Sequence, residues 1–155
     1  MTTKSFELDV LLGFANVIAD NADATVPLYI DLDKDGNPKA GGVPLGSTHV
    51  FIDQWPEEQN SVTLLDYPVS DDPSLSDSVI GVQVTIWHRD RDRLRSIVSD
   101  VFNLMQGRWG GNMGNVRLVQ AVRRSGANLG QDGNGRVGRT ENYYLTVHRL
   151  SAHRQ

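Results

Sequence analysis

The patterning of this 155-residue chain predicts an α+β fold: a mostly antiparallel β-sheet packed by two α-helices, with a long projecting β-hairpin loop. Three observations carry that reading. In Val79–Trp87, Ile80, Val82, Val84 and Ile86 alternate with Val79, Gly81, Gln83, Thr85 and Trp87, the period of a strand with one apolar face. The period then changes, because Leu94, Ile97, Val98, Val101, Leu104 and Met105 recur at helical spacing with Phe102 beside them, so a helix follows and lies back on the sheet. Near the C-terminus, Val116–Arg124 and Glu141–Arg149 read as strands on either side of Ser125–Arg139, a glycine-rich basic stretch too long for a tight hairpin.

Taken in order, Ser5–Asp20 reads as the first helix. Phe6, Val10, Leu11, Phe14, Ala15, Val17 and Ile18 form its apolar stripe, Ser5 its cap, and Glu7 and Asp9 the acidic first turn. Gly13 weakens it by roughly 1 kcal/mol against alanine and marks close packing on a neighbour. Val26–Ile30 is a short edge strand or extended link. Thr48–Asp53 and Ser61–Tyr67 read as two strands that pair antiparallel, with Trp55 and Pro56 in the loop between them. Pro68–Asp77 is an acidic turn region leading into the central strand. In the second helix, Asp90 is placed to cap, Asp92 to favour the positive end of the dipole, and Gly107 to stop it. Trp109–Asn115 is a glycine-rich connector. In the last strand Tyr143, Leu145 and Val147 form the apolar face.

The length fits one domain, 1–155, able to bury a core without staples. Zero cysteines exclude a disulfide framework and thiolate metal sites and suit a reducing compartment. No apolar run approaches the length of a membrane span, and Glu7 and Asp9 follow too closely on Met1–Lys4 for a signal peptide, so synthesis in the cytosol is expected. The net charge of −4 hides an asymmetry: residues 1–88 hold 3 Lys, no Arg and 14 acidic residues (−11), residues 89–155 hold 12 Arg, no Lys and 5 acidic residues (+7). An arginine-only half suits phosphate, hence nucleic acid. It equally suits head-to-tail self-assembly, in which an acidic patch meets a basic one and the contact closes into a ring or runs on as a filament; compositional drift that leaves only solvated faces is the third reading.

No motif carries convincing reaction chemistry, and no enzyme, cofactor or metal is expected. Asp31–Gly36 reads Asp-Leu-Asp-Lys-Asp-Gly, the first half of a calcium loop, but Gly42 stands where that loop needs its bidentate Glu, and Pro38 and Pro44 forbid the exiting helix. Gly133, Gly135 and Gly138 spell G-x-G-x-x-G without a helix opening behind them. A turn built from Asp132, Gly133, Asn134 and Gly135 explains the same letters. His49, His88, His148 and His153 show no metal spacing. Arg89, Arg91, Arg93 and Arg95 alternate with Asp90 and Asp92 as self-satisfied surface charges, which leaves Arg123, Arg124, Arg136 and Arg139 as the freer basic cluster.

The closing Leu129-Gly-Gln-Asp-Gly-Asn-Gly-Arg136, followed by Asn142-Tyr-Tyr-Leu-Thr-Val-His-Arg149, resembles the C-terminal hairpin of phage tail terminator and minor capsid proteins. Pro27-Leu-Tyr-Ile30, Asp66-Tyr-Pro68, Val79-Ile-Gly-Val-Gln-Val84 and the helix ending Leu104–Gly107 come in the order seen in that family, so the resemblance covers most of the chain. It implies a sheet packed by two helices, six copies in a ring on the tail tube, an end to tube growth and a surface offered to the head. The implied partners are other copies of the chain, the tail tube protein and a head-completion or neck protein. Genome DNA would pass through the lumen without specific binding, and no membrane is involved. The implied location is the head–tail junction of a virion made in bacterial cytoplasm. On this reading Arg123, Arg124, Asp132, Asn134, Arg136 and Arg139 are candidates for the subunit or tube interface, with Asp31, Asp33 and Asp35 as acidic partners. The Asp31–Gly42 and Gly110–Gly114 segments have no counterpart in the family pattern. A head-completion or neck ring is the nearest alternative, and a nucleic-acid-binding module using the arginine cluster is one from another class.

Overall fold

The computed structural model describes residues 5–19, 28–30, 48–71 and 77–149. Asp31, Asp33 and Asp35, and with them the half calcium loop, lie outside the described residues. The chain order is α1 (Phe6–Ala19), β1 (Leu28–Ile30), β2 (Thr48–Ile52), β3 (Ser61–Asp71), β4 (Asp77–His88), α2 (Arg91–Met105), β5 (Asn112–Met113), β6 (Val116–Gln131) and β7 (Val137–His148). The strands form one seven-stranded sheet in the order β1-β2-β3-β4-β7-β6-β5, and the helices pack on one face of it.

The β4–α2 unit forms as its periodicity requires. Ile80, Val82, Val84 and Ile86 point into the core, and Leu94, Ile97, Val98, Val101 and Met105 of α2 cover them. Asp90 caps α2 by accepting from the Asp92 N–H at 2.9 Å and the Arg93 N–H at 3.4 Å, and Gly107 turns the chain at φ +74°. On α1, Ser5 Oγ accepts from the Leu8 N–H at 3.1 Å, and Val10, Leu11, Phe14, Ala15 and Ile18 are buried. Phe14 meets Tyr143 edge to face at 5.8 Å, which locks α1 over β7. Gly13 is indeed a contact glycine: a Cβ there would overlap the Met113 carbonyl of β5. The Gly110–Gly114 connector is therefore part of the sheet edge, running beside β6 and pressed under α1.

Pro68–Asp71 belong to β3 rather than to an acidic turn, with Pro68 opposite Ile80 and Asp71 opposite Ser78; two further expectations are corrected. First, β2 pairs with β3 in parallel, not antiparallel, with His49 opposite Ser61 and Ile52 opposite Leu64. Asp53, at φ +57°, starts a return link through Asn60 that brings the chain back to the beginning of β2. All five β2 residues are buried, as suits a parallel strand covered on both faces. Second, Ser125–Arg139 is not a long loop. The ladder continues from Ser125 opposite Asn142 to Gln131 opposite Val137, so β6 and β7 run to a five-residue turn, Asp132–Arg136. Serine, glycine, alanine and asparagine have weak strand propensity, but β7 supplies the hydrogen-bond partners that the side chains do not advertise. The hairpin still projects, since Arg123–Gln131 are exposed throughout.

Candidate assembly surface

The sequence asymmetry becomes a spatial one. Strands β1–β4 make one half of the sheet and β7, β6 and β5 the other. Among the described residues, the first half with α1 holds eight carboxylates and no Lys or Arg. Arg108, Arg117, Arg123, Arg124, Arg136, Arg139 and Arg149 lie on or beside the second half, and Arg89, Arg91, Arg93 and Arg95 stand at the start of α2.

The hairpin turn is a clasp. Asp132 accepts from the Asn134 N–H at 3.0 Å and the Arg136 N–H at 2.8 Å, while its own N–H donates to the Arg136 carbonyl at 2.8 Å. Gly135 supplies the positive φ of +79° that closes the turn. Arg136 is only 5% exposed: Nε donates to Asp132 Oδ2 at 2.7 Å, Nη1 donates to the Pro56 and Gln59 carbonyls at 2.9 and 2.8 Å, and the guanidinium stands 5.3 Å from the Trp87 ring centroid. Asn134 Nδ2 donates to the Glu57 carbonyl at 2.7 Å, and Arg89 bridges the Asn134 and Glu58 carbonyls, both at 2.7 Å. Although desolvation opposes it, hydrogen bonds from the Arg136 backbone and side chain, together with the Asn134 N–H, hold the Asp132 carboxyl below the usual carboxylate range. The structure thus brings Asp132, Asn134 and Arg136 together, but turns them toward the 53–60 link of their own chain.

A second cluster surrounds Glu141, which is 1% exposed on the helix-facing side of β7. Arg139 Nε donates to its Oε1 at 2.7 Å, and Arg123 Nη1 lies 3.6 Å from Oε2. Arg123 also covers the Phe102 ring of α2 at 4.7 Å. Gly126 faces Glu141 so closely that a Cβ would overlap the carboxylate. Burial, followed by the negative charge of Glu141, raises the Tyr143 hydroxyl pKa, so that phenol stays neutral.

Arg124 stands apart from both clusters. It is exposed, packs over the Tyr144 ring at 5.6 Å, and has no carboxylate partner among the described residues. Tyr144 belongs to the face opposite the helices. By strand alternation and register that face presents Ser61, Thr63, Leu65 and Tyr67 on β3, Val79, Gly81, Gln83, Thr85 and Trp87 on β4, and Gly138, Thr140, Asn142, Tyr144 and Thr146 on β7. The charges on this face stand at its margins, Asp77 opposite His148 at the start of β4 and Arg124 of β6 over Tyr144. The face is also smooth, because the Tyr67 ring lies flat over Gly81 and the Trp87 ring over Gly138. Strand glycines at 81 and 138 were the available sequence signal for this close approach. The sequence reading of charge alone missed both.

Among the described residues, no group of three or more His, Cys, Asp or Glu side chains is placed to hold a metal ion. Gly133, Gly135 and Gly138 sit on the turn and the start of β7, with no helix behind them to present amides to a phosphate. His88 is buried at the end of β4. Burial lowers its pKa, outweighing nearby Asp90, and its Nδ1 accepts from the Asp90 N–H at 3.0 Å, so it caps α2 as a neutral ring.

No protein-family model matches the chain, and no curated protein does. Among solved structures, the chain is similar to one from the virion of a native gene transfer agent particle, with a TM-score of 0.51 and 12% sequence identity, covering 64% of this chain and 78% of that one. At that identity the two share a fold, a sheet-dominated domain that is used there as a part of a virion.

Proposed function

We propose that the chain is a structural virion protein, a tail terminator that caps the tail tube as a ring, stops its polymerisation and contributes to the surface that joins tail to head. The observation that carries this is the segregation of charge across one sheet, acidic at β1–β4 and basic at β5–β7, in a domain sharing its fold with a virion chain. A molecule whose two ends are complementary makes heterologous contacts, and such contacts close into rings where the rotation between copies closes. Six copies, the tail tube protein and a head-completion or neck protein are the partners this reading names.

The arginines favour this reading over a nucleic-acid-binding module. Arg93, Arg95, Arg123, Arg136, Arg139 and Arg149 each pair with a carboxylate of their own chain and Arg89 is held by carbonyls, so that Arg91 on α2, Arg108 on the connector and Arg117 and Arg124 on β6 are the arginines without a carboxylate partner among the described residues. Phosphate contacts need cations with unused capacity.

Negative-stain electron microscopy of lysates lacking this gene tests the proposal. Tails of uncontrolled length beside tail-less heads are expected. Tails of normal length that fail to join heads would assign the chain to the neck instead, and intact particles would contradict both.

A further inference from the structure

The outer edge of β6 is covered over only half its length. Gly107, Arg108, Gly110 and Gly111 exchange backbone hydrogen bonds with Leu118, Val119 and Ala121, and β5 pairs with Val116 and Arg117. Beyond Val122 that edge has no backbone partner among the described residues, and the Arg123 N–H is met by a side chain, donating to Gln106 Oε1 at 2.7 Å. A free edge of this kind is a template for another strand. Within it, Ser125–Asn128 contains no proline and no charged residue to block pairing.

Bulges between Arg123 and Ser125 and between Asn128 and Gly130 cut this edge into pieces and leave one straight run, Ser125–Asn128, in register with Asn142–Arg139. At the far end of the same sheet, β1 is a three-residue strand, Leu28–Ile30, that pairs with β2 on one side and has no strand on the other among the described residues. The lengths match. The charges are opposite: Arg124, which has no carboxylate partner among the described residues, immediately precedes the straight run, and Asp31, Asp33 and Asp35 follow β1 in sequence. Tyr29 is 41% exposed and lies on the face that also carries Ser125 and Ala127.

We infer that Ser125–Asn128 of one copy pairs with β1 of a second copy, so that the sheet continues from subunit to subunit around the ring. The partner is a second copy rather than an unrelated peptide because the two open edges belong to one molecule and carry opposite charge on their flanks. Main-chain hydrogen bonds supply the contact, and the charges fix which edge meets which. This inference rests on the ring reading and specifies its seam.

The chain has no cysteine, so introduced pairs report without background. Tyr29→Cys is combined in turn with Ser125→Cys and Ala127→Cys, and the assembled protein is mildly oxidised. The expected result is a ladder of linked dimers, trimers and larger species from at least one double variant and from no single variant, because a head-to-tail contact joins each copy to two neighbours. Rings by light scattering without a ladder from either pair would overturn the β1–β6 seam while leaving the ring intact. Dimers from Ala127→Cys alone would show two β6 edges facing each other and overturn the head-to-tail arrangement. A chain that stays monomeric at every concentration would overturn both. Should Tyr29→Cys fail to fold, hydrogen exchange of the unmodified protein decides: amides 125–128 and 28–30 slow on assembly, and unchanged exchange there contradicts the seam.

Discussion

Replacing Arg136 is the sharpest probe of how the hairpin is held. Arg136→Ala removes a guanidinium that is 5% exposed and donates to three acceptors, Asp132 Oδ2 and the carbonyls of Pro56 and Gln59. Hydrogen bonds to a charged group contribute about 1.5–3 kcal/mol each, but these three share one side chain and do not add fully. Water also reaches the site once the side chain is gone. A loss of about 3 kcal/mol is expected, which for a domain of this size lowers Tm by roughly 6–12 °C. Arg136→Lys keeps the charge without the planar fork and should lose about half as much. Urea unfolding measures both, and an unchanged m-value confirms that the native state alone was altered. A double-mutant cycle with Asp132→Ala should return a coupling of about 1–2 kcal/mol. A loss below about 0.5 kcal/mol for Arg136→Ala, the range of an ordinary surface substitution, would refute the clasp. It follows that charge reversal at Arg136 and Arg139 together is a poor test of the ring seam, since it breaks the subunit first.

Glu141→Gln should cost about 3 kcal/mol, the low end for breaking a buried ion pair, because Arg139 and Arg123 retain access to water; thermal denaturation reads it. Gly138→Ala and Gly81→Ala push a methyl group into the Trp87 and Tyr67 rings and should each destabilise by about 1–3 kcal/mol, checked by urea midpoints. Stability should fall as pH drops below 6.5, because His88 binds a proton more readily unfolded than folded; the Asp132 contribution is lost only below about 3.8, the ordinary value for its carboxyl. His88→Asn, which keeps an acceptor for the Asp90 N–H, should flatten the first part of that profile in denaturation at pH 7.5, 6 and 5. Arg124→Glu should leave the monomer's Tm unchanged and weaken oligomerisation in sedimentation, since Arg124 has no carboxylate partner of its own among the described residues.

How much of this was legible depends on whether the cause was local. The α2 cap at Asp90, the stop at Gly107 and the Asp132–Gly135 turn were readable because each is fixed within a few residues. The parallel pairing of β2 with β3 was not, because orientation depends on the path of the Asp53–Asn60 link and strand patterning is the same for either direction. The outer half of the hairpin was hidden by residues that pair through backbone alone. Arg136 looked like a free cation because two of its acceptors, Pro56 and Gln59, lie 80 and 77 residues away in sequence. Arg123 and Arg139 are engaged by one buried carboxylate, Glu141, which lies 18 residues from the first but two from the second, so for Arg139 the hidden fact was the burial of Glu141 rather than distance. What the sequence did disclose was the charge division, because the chain order of the two halves is also their order in the sheet.

Gold labelling of the chain on intact virions tests the proposed role most directly. A tag on the chain, bound by nanogold and viewed in negative stain, should mark each particle at a single position, the junction of head and tail. Label along the tail, at its distal tip or over the capsid would contradict a terminator ring.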